Sequence, residues 1–240
     1  MRCLMPALVV LACLGYVRPV AATSITFNTS DSQFTPGVDN QGFWSATFAN
    51  TTTKDNYFTG ELGSGAVLRS FFTFDLSSLN LTDQTVTGAT LELSRYLYDS
   101  TDESETIRLF DVSTPAATLN DHTGTSASIF NDLGSGTTYG TFGVNDYTGT
   151  PTLSTLTFVL AAAALPDISA AAGNFFSIGG ALISISPGDG ENEAIFSGSS
   201  GVGIQRLIVE TTPIPEPASI LLFGTGIAGL IVTRARRRRG

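Results

Sequence analysis

The sequence predicts an all-β protein, a jelly-roll-like antiparallel β-sandwich with an N-terminal signal peptide and a single C-terminal transmembrane helix. The middle of the chain is rich in Thr and Gly and has one Lys, a composition that favours strands. Segments such as 67–76 alternate apolar and polar residues with the period of a strand. An apolar stretch also stands near each end of the sequence. These observations divide the chain into residues 1–22, 23–212 and 213–240.

Residues 1–22 have the order of a secretory signal peptide. A positively charged start is followed by an apolar run and then by small residues, and we place cleavage between Ala22 and Thr23. An alternative makes Cys13 a lipidated cysteine, although the residues before it fit a lipoprotein box poorly. Because Cys3 and Cys13 both lie in this segment, the mature protein is expected to contain no disulfide or thiolate site.

Residues 213–240 read as a second targeting segment. Residues 218–233 carry no charge, and as a helix they would reach about 24 Å, slightly less than a bilayer core of about 30 Å. Basic residues after a membrane span stay in the cytoplasm, so the preceding domain is expected to face outward. The basic cluster consists of Arg234, Arg236, Arg237, Arg238 and Arg239.

The residues before the apolar segment carry a resemblance to a known signal. They are Pro215, Glu216, Pro217, Ala218 and Ser219. With the apolar segment and the Arg cluster, they resemble the bacterial PEP-CTERM sorting signal. The N-terminal signal predicts export through the Sec translocon and cleavage by signal peptidase. The resemblance implies processing by an exosortase in a Gram-negative bacterium that makes extracellular polysaccharide and biofilm. It also implies a membrane-anchored precursor and a mature form at the cell surface or in the matrix.

The body between these segments contains several predicted strands. They are separated by Gly-rich turns. Many short strands at this spacing indicate a two-sheet sandwich, and residues 161–173 form the one predicted helix. The predicted strands are 67–76, 86–98, 106–112, 153–160, 175–185 and 205–210.

Part of the body is similar to exported jelly-roll domains of the DNRLRE type. The similarity rests on the pattern from Arg69 to Leu76 within residues 67–98. Some relatives with this pattern bind polysaccharide. Residues 193–210 resemble the closing strand pair of such domains.

The charge and the single histidine restrict the chemistry of the body. Residues 23–212 hold five basic and 20 acidic residues, a net charge of −15, which argues against a nucleic-acid partner. His122 would have to be the base of a hydrolase triad, but no Gly-x-Ser-x-Gly elbow accompanies it, and we expect a solvated loop histidine. A glycosidase needs two convergent carboxylates, and the sequence does not show that any pair converges. The candidates are Asp75, Glu92, Asp111 and Glu210.

Two acidic clusters could supply hard oxygen ligands to calcium. The first contains Asp99, Asp102, Glu103 and Glu105, and the second contains Asp189, Glu191, Asn192 and Glu193. Neither matches an EF-hand loop, and solvated charge is the alternative. We therefore expect no cofactor, with structural calcium at the second cluster as an open option.

Aromatic rings are the usual platforms for sugars, because a flat ring covers a sugar face. The body offers Phe43, Trp44, Tyr57, Phe58, Tyr96, Tyr98, Tyr139 and Tyr147. Most aromatic residues of a sandwich belong to its core. The preferred contact candidates are Trp44, Tyr57, Tyr96 and Tyr98.

The function expected from the sequence is that of an exported, non-enzymatic structural or polysaccharide-associating protein of the cell surface or matrix. We expect no catalytic residue. Two alternatives stay open, a polysaccharide-modifying enzyme of glycosidase or lyase type and a purely structural spacer.

Overall fold

The computed structural model describes residues 22–51, 54–63, 65–145, 153–186 and 190–214. Within these ranges the chain forms twelve strands and three short helices. The strands are β1 (Thr23–Asn28), β2 (Gln41–Trp44), β3 (Tyr57–Leu62), β4 (Ala66–Asp75), β5 (Gln84–Arg95), β6 (Leu97–Asp99), β7 (Ser104–Asp111), β8 (Thr138–Asn145), β9 (Ser154–Val159), β10 (Phe175–Leu182), β11 (Glu193–Gly198) and β12 (Gln205–Pro213). The helices are α1 (Ala116–Leu119), α2 (Ala127–Asp132) and α3 (Ala164–Ala170).

The strands form two antiparallel sheets packed face to face. The smaller sheet has the order β1-β12-β5-β9. The larger sheet has the order β6-β11-β3-β4-β10-β7-β8, and β2 pairs with β4 beside this path. The predicted all-β sandwich is therefore confirmed.

The two targeting segments lie mostly outside the described residues. The signal residues 1–21 and the predicted span 218–233 are not among the described residues, nor are the proposed sorting residues and the Arg cluster. In the part of the chain that the structure describes, no helix is both long enough and apolar enough to cross a membrane.

The alternating strands predicted from the sequence build the main core. Phe72 and Phe74 of β4 lie in one buried cluster with Leu91 and Leu93 of β5. These residues point to the same side of their strands because side chains alternate with a period of two. The two sheets are thus held together by apolar burial. Each fully buried large apolar side chain stabilises the fold by about 1.5–3 kcal/mol.

The predicted helix is α3, and it covers part of the smaller sheet. It packs against β5 and buries Ile168 in the main core. The Tyr139 hydroxyl of β8 donates a 2.7 Å hydrogen bond to Asp167. Pro166 is tolerated because it stands in the first turn, where no backbone N–H is needed.

The predicted closing strand pair within residues 193–210 is wrong. Strand β11 pairs with β3 and β6 in the larger sheet, whereas β12 pairs with β1 and β5 in the smaller one. The alternation of residues identified each segment as a strand, but it carries no information about the partner strand.

A second, smaller core lies under α1 and α2. Its members are Trp44, Phe71, Leu119, Ile129 and Leu133. The Trp44 indole N–H donates a 3.0 Å hydrogen bond to the Leu119 carbonyl, and only 3% of the residue is exposed. The prediction of Trp44 as a glycan-contact residue is therefore wrong, because its ring anchors the covering segment, residues 116–133, which contains α1 and α2 and packs on the larger sheet.

His122 belongs to the same covering segment and is not the solvated histidine that we expected. It is 1% exposed, with a φ of +55°, and its ring stands edge-on to Phe71 at 5.3 Å between centroids. Nδ1 donates to the Lys54 carbonyl, so the neutral ring carries its proton there. Burial lowers the pKa of His122, although the Lys54 carbonyl and the charges of Asp55 and Asp121 oppose this shift.

Tyr57 connects the two sheets and is also not a surface aromatic. The residue is fully buried, and its ring packs at 5.0 Å from that of Phe72. Its hydroxyl donates to the Ser94 carbonyl at 2.7 Å and accepts from the Gln205 amide at 3.1 Å. Burial raises the pKa of the Tyr57 hydroxyl. The prediction of Tyr57 as a glycan-contact residue is wrong, since no face of the ring reaches solvent.

We expect His122 to make the sandwich sensitive to mild acid. Because the pKa of His122 is lowered in the folded state, the unfolded chain binds a proton below about pH 6.5 that the folded chain does not. The free energy of unfolding therefore falls by up to about 1.4 kcal/mol for each unit by which the pH is lowered. His122→Asn keeps a side-chain N–H and tolerates the positive φ. Urea unfolding between neutral pH and mild acid should show a shallower pH dependence in this variant. An unchanged slope would exclude His122 as its source.

Tyr57→Phe should destabilise the sandwich by about 1–3 kcal/mol, because it leaves the Ser94 carbonyl and the Gln205 amide buried with one partner fewer. Urea unfolding at neutral pH measures the difference. The control is Tyr96→Phe, which alters a phenol on a half-exposed residue and should change the free energy of unfolding little. Equal effects of the two substitutions would contradict the cross-sheet role of Tyr57.

Candidate functional site

A cleft of about 210 Å³ opens where β2 and β3 pair with consecutive parts of β4. Three aromatic rings and two Leu side chains line it, and the polar residues of the loop between β2 and β3 form much of its rim. The apolar lining consists of Phe43, Phe48, Phe58, Leu62 and Leu68. The rest of the lining consists of Ala49, Asn50, Thr51, Lys54 and Asn56.

Phe48 is the most accessible ring of the cleft. It is 45% exposed and lies 6.1 Å from the ring of Phe43. The Ser45 hydroxyl accepts hydrogen bonds from the backbone N–H groups of Thr47 and Phe48, at 3.3 and 3.2 Å, and so fixes the turn that presents this ring. The cleft therefore offers a partly exposed aromatic surface beside the buried Phe43 and the half-buried Phe58.

The polar rim is positioned by backbone contacts. Asn50 donates from its amide to the Phe43 carbonyl at 3.0 Å and accepts from the Thr51 N–H at 2.8 Å, so its side chain is structural. Lys54, the one lysine in the sequence, is exposed, and Asn56 is half-buried. The rim thus carries an ammonium, an amide and the Thr51 hydroxyl.

The remaining predicted glycan-contact residues lie apart from this lining. Tyr96 is 49% exposed, in keeping with a surface position. Tyr98 is half-buried, packs against the main core and donates from its hydroxyl to the Asp102 carbonyl at 2.8 Å. Phe48 was not among the sequence candidates, because one Phe between small and polar residues forms no period.

Three carboxylates from the two predicted acidic clusters come together. Ligand oxygens of Asp102, Glu105 and Glu193 all lie within 4.8 Å of one another. Glu105 is fully buried and Glu193 is 4% exposed, whereas Asp102 is exposed. Oxygen atoms in this arrangement could ligate one hard divalent cation.

Neutral donors hold the two buried carboxylates of this cluster. Glu105 accepts from the Ser100 hydroxyl at 2.6 Å and also from the Ser184 hydroxyl. Glu193 accepts from the backbone N–H of Ser186 at 2.6 Å, and it lies opposite Glu61 in the ladder between β11 and β3.

Asp102 and Glu105 come from the first predicted acidic cluster, and Glu193 is the one described residue of the second that joins them. Glu191 accepts from the Thr101 hydroxyl at 2.6 Å, and the Asn192 amide donates to Asp99 at 2.9 Å. Asp189 lies outside the described residues.

A second cavity, of about 280 Å³, is polar and includes Asp39 in its lining. The pKa of Asp39 is raised, chiefly by burial, while a hydrogen bond from Gln33 acts in the opposite direction and the Asp55 charge adds to the increase. Asp55 accepts from the backbone N–H groups of Asp39 at 2.8 Å and Ser200 at 2.9 Å. This carboxylate therefore ties three loops together.

The carboxylates considered for glycosidase chemistry line neither cavity. Asp75 accepts from the Ser77 N–H at 2.8 Å, Glu92 forms a 2.6 Å ion pair with Arg206, and Asp111 accepts from the Thr137 N–H at 2.5 Å. Glu210 is exposed.

The four arginines of the body all have partners. Arg69 donates to the Phe130 carbonyl at 2.7 Å and lies over its ring, while Arg206 pairs with Glu92. The other two are Arg95, which is buried and donates to the Asn145 carbonyl, and Arg108, which donates to the Thr141 hydroxyl.

The comparison with known families concerns the segment directly after β12. Residues 213–239 match the family model described as the PEP-CTERM protein-sorting motif. No curated protein sequence matches the chain. The chain therefore carries a PEP-CTERM sorting motif, which marks it as an exported protein that an exosortase processes from a membrane-associated precursor.

Proposed function

We propose that the sandwich is a non-enzymatic module of the cell surface or matrix that associates with extracellular polysaccharide through the cleft around Phe48. The observation that carries the proposal is the accessible Phe48 ring beside Phe43 in a protein that is sorted out of the cell. The sorting motif supports the location, and the cleft supplies a surface of the right chemistry.

The dimensions of the cleft suit one sugar unit of a polymer. Its volume of about 210 Å³ lies below the range of roughly 300–1,000 Å³ that is typical of pockets for drug-sized ligands. An aromatic face covers the C–H face of a sugar ring. Thr51, Lys54 and Asn56 then supply donors for the hydroxyl groups of the same unit.

The charges of the body favour a neutral polysaccharide. All four body arginines are engaged by carbonyl, hydroxyl or carboxylate groups of the sandwich, and the net charge of residues 23–212 is −15. A polyanion would meet repulsion over most of this surface. Lys54 is a single charge on the rim and serves in this proposal as a hydrogen-bond donor.

The lining of the cleft also favours binding over catalysis. Hydrolysis of a glycosidic bond needs two carboxyl groups that flank the scissile bond, and the described lining of this cleft contains no carboxylate.

Phe48→Ala should weaken binding of the protein to the neutral polysaccharide of its own host by on the order of 1 kcal/mol, because full burial of a Phe side chain contributes about 1.5–3 kcal/mol and 45% of this residue is exposed for contact. Affinity electrophoresis with the purified polysaccharide measures the effect. The matched control is Tyr96→Ala, which removes an equally exposed ring outside the cleft lining and should bind as the native protein does.

Measurements with the same purified polysaccharide distinguish a binding module from an enzyme and from a structural spacer. Binding to a neutral chain should change little between roughly 0.05 and 0.5 M salt, since screening acts on charged partners. Release of reducing ends would identify an enzyme, and absence of retardation on any tested polysaccharide would identify a spacer. Equal loss of affinity in the two variants would exclude the cleft as the binding site.

Glu216→Gln, or removal of residues 234–239, should leave the full-length precursor in the membrane, because the motif loses its acidic residue or its basic cluster. Immunoblotting of membrane fractions and mass spectrometry of the mature form measure processing. The control is Glu210→Gln, which neutralises an exposed glutamate six residues upstream, within β12. Normal maturation of both motif variants would contradict the role assigned to these residues.

A further inference from the structure

The first and last strands of the sandwich place two chain positions side by side. Strands β1 and β12 are antiparallel, and Thr23 lies opposite Thr211 in their ladder. The predicted signal peptide ends immediately before Thr23. The sorting motif begins two residues after Thr211, at the same end of this pair of strands, so both targeting segments join the sandwich at one end of the smaller sheet.

The sandwich holds the chain up to the sorting residues. Pro213 is the last residue of β12 and pairs with Gln84, and the Ile214 N–H donates to the Asp83 carbonyl at 2.8 Å. Only residues 215–217 separate this hydrogen bond from the uncharged segment 218–233. Three residues span at most about 11 Å.

The composition of this connection limits its freedom further. Two of its three residues are Pro, whose φ is fixed by the ring. A domain joined to the membrane by so short a connection cannot turn its opposite end towards the lipid.

We propose that one end of the sandwich faces the lipid surface while the sorting tail is in place. This membrane-facing end comprises Thr23, the turn at Thr82 and Asp83, and Ile214. Ile214 is 55% exposed, and both turn residues are exposed. The other end of the same sheet, where β1 ends at Asn28, faces away from the membrane. The inference rests on the sorting motif and is independent of polysaccharide binding.

The folded sandwich limits the access of the processing enzyme to the motif. The peptide bonds of the motif lie within about 11 Å of a hydrogen-bonded strand. An exosortase that acts on the folded precursor must therefore approach between the membrane-facing end and the lipid.

Single cysteines test this orientation in the full-length precursor. Thr82→Cys marks the membrane-facing end, and Ser30→Cys marks an exposed position just beyond the opposite end of β1. Cys3 and Cys13 are changed to Ser, so the new thiol is the only one. The precursor is kept in the membrane of a host without exosortase, the outer membrane is removed by preparing spheroplasts, and the rate of reaction with a bulky polyethylene-glycol maleimide is measured.

We expect Thr82→Cys to react severalfold more slowly than Ser30→Cys. Twelve Gly and Ser residues inserted between Ile214 and Pro215 add about 20 Å of reach and should remove the difference. Equal rates without the insert would overturn the proposal, and so would a difference that persists with it. Matching thermal midpoints of the two variants show that both are folded. Loss of glycan binding in the Phe48 variant leaves this test unaffected.

Discussion

The last strand, β12, lies between β1 and β5, and this pairing determines much of the rest of the structure. Its ladder with β5 runs from Gln205 to Pro213, and Leu207 and Val209 enter the main core. Since β12 comes last among the described strands, the smaller sheet cannot close until nearly the whole body has been exported. The same ladder brings the chain to Ile214 without a linker, so completion of the fold and presentation of the sorting motif occur at one place.

The covering segment on the larger sheet is hydrogen-bonded to the loop that lines the cleft. Asn50 and Gly124 exchange two backbone hydrogen bonds, at 3.0 and 3.4 Å, and the Ser126 N–H donates to the Ser45 carbonyl at 3.2 Å. His122 bonds to the carbonyl of Lys54 on the cleft rim. Protonation at Nε2 would leave the Nδ1–H bond to this carbonyl in place, so its cost arises from burying a charge in the second core, where the ring contacts Phe71.

The sequence predicted those features that depend on the residue pattern within a single strand. The alternation along β4 and β5 predicted which side chains enter the main core, because that pattern reflects a sheet with one face against the other layer. Trp44, Tyr57 and His122 were wrongly predicted because their burial depends on segments distant in sequence. The Trp44 partner is Leu119, and the Tyr57 hydroxyl bonds to Ser94. The alternation of apolar and polar residues along one strand contains no information about such long-range contacts.

The candidate sites depend on the same long-range assembly. The cluster of Asp102, Glu105 and Glu193 joins two acidic segments separated by about ninety residues of sequence. The composition pointed to acidic groups but not to their convergence. Phe48 could not be found by periodicity, since its exposure follows from the turn that the Ser45 hydroxyl fixes.

The many Ser and Thr residues of the body serve as hydrogen-bond donors to its carboxylates. Of residues 23–212, 53 are Ser or Thr and only five are basic, so hydroxyl and backbone donors must stabilise many of the carboxylates. At Asp132, burial raises the pKa, but hydrogen bonds from Thr114 and Ser113 outweigh it and the net shift is downward. Such a carboxylate stabilises the fold above its unfolded pKa, near 3.9, and loses this contribution as the pH falls through the folded value. Because the body has only five basic residues and its four arginines are engaged within the sandwich, its surface offers few cations to a polyanion, and this supports the proposal that the polysaccharide partner is neutral.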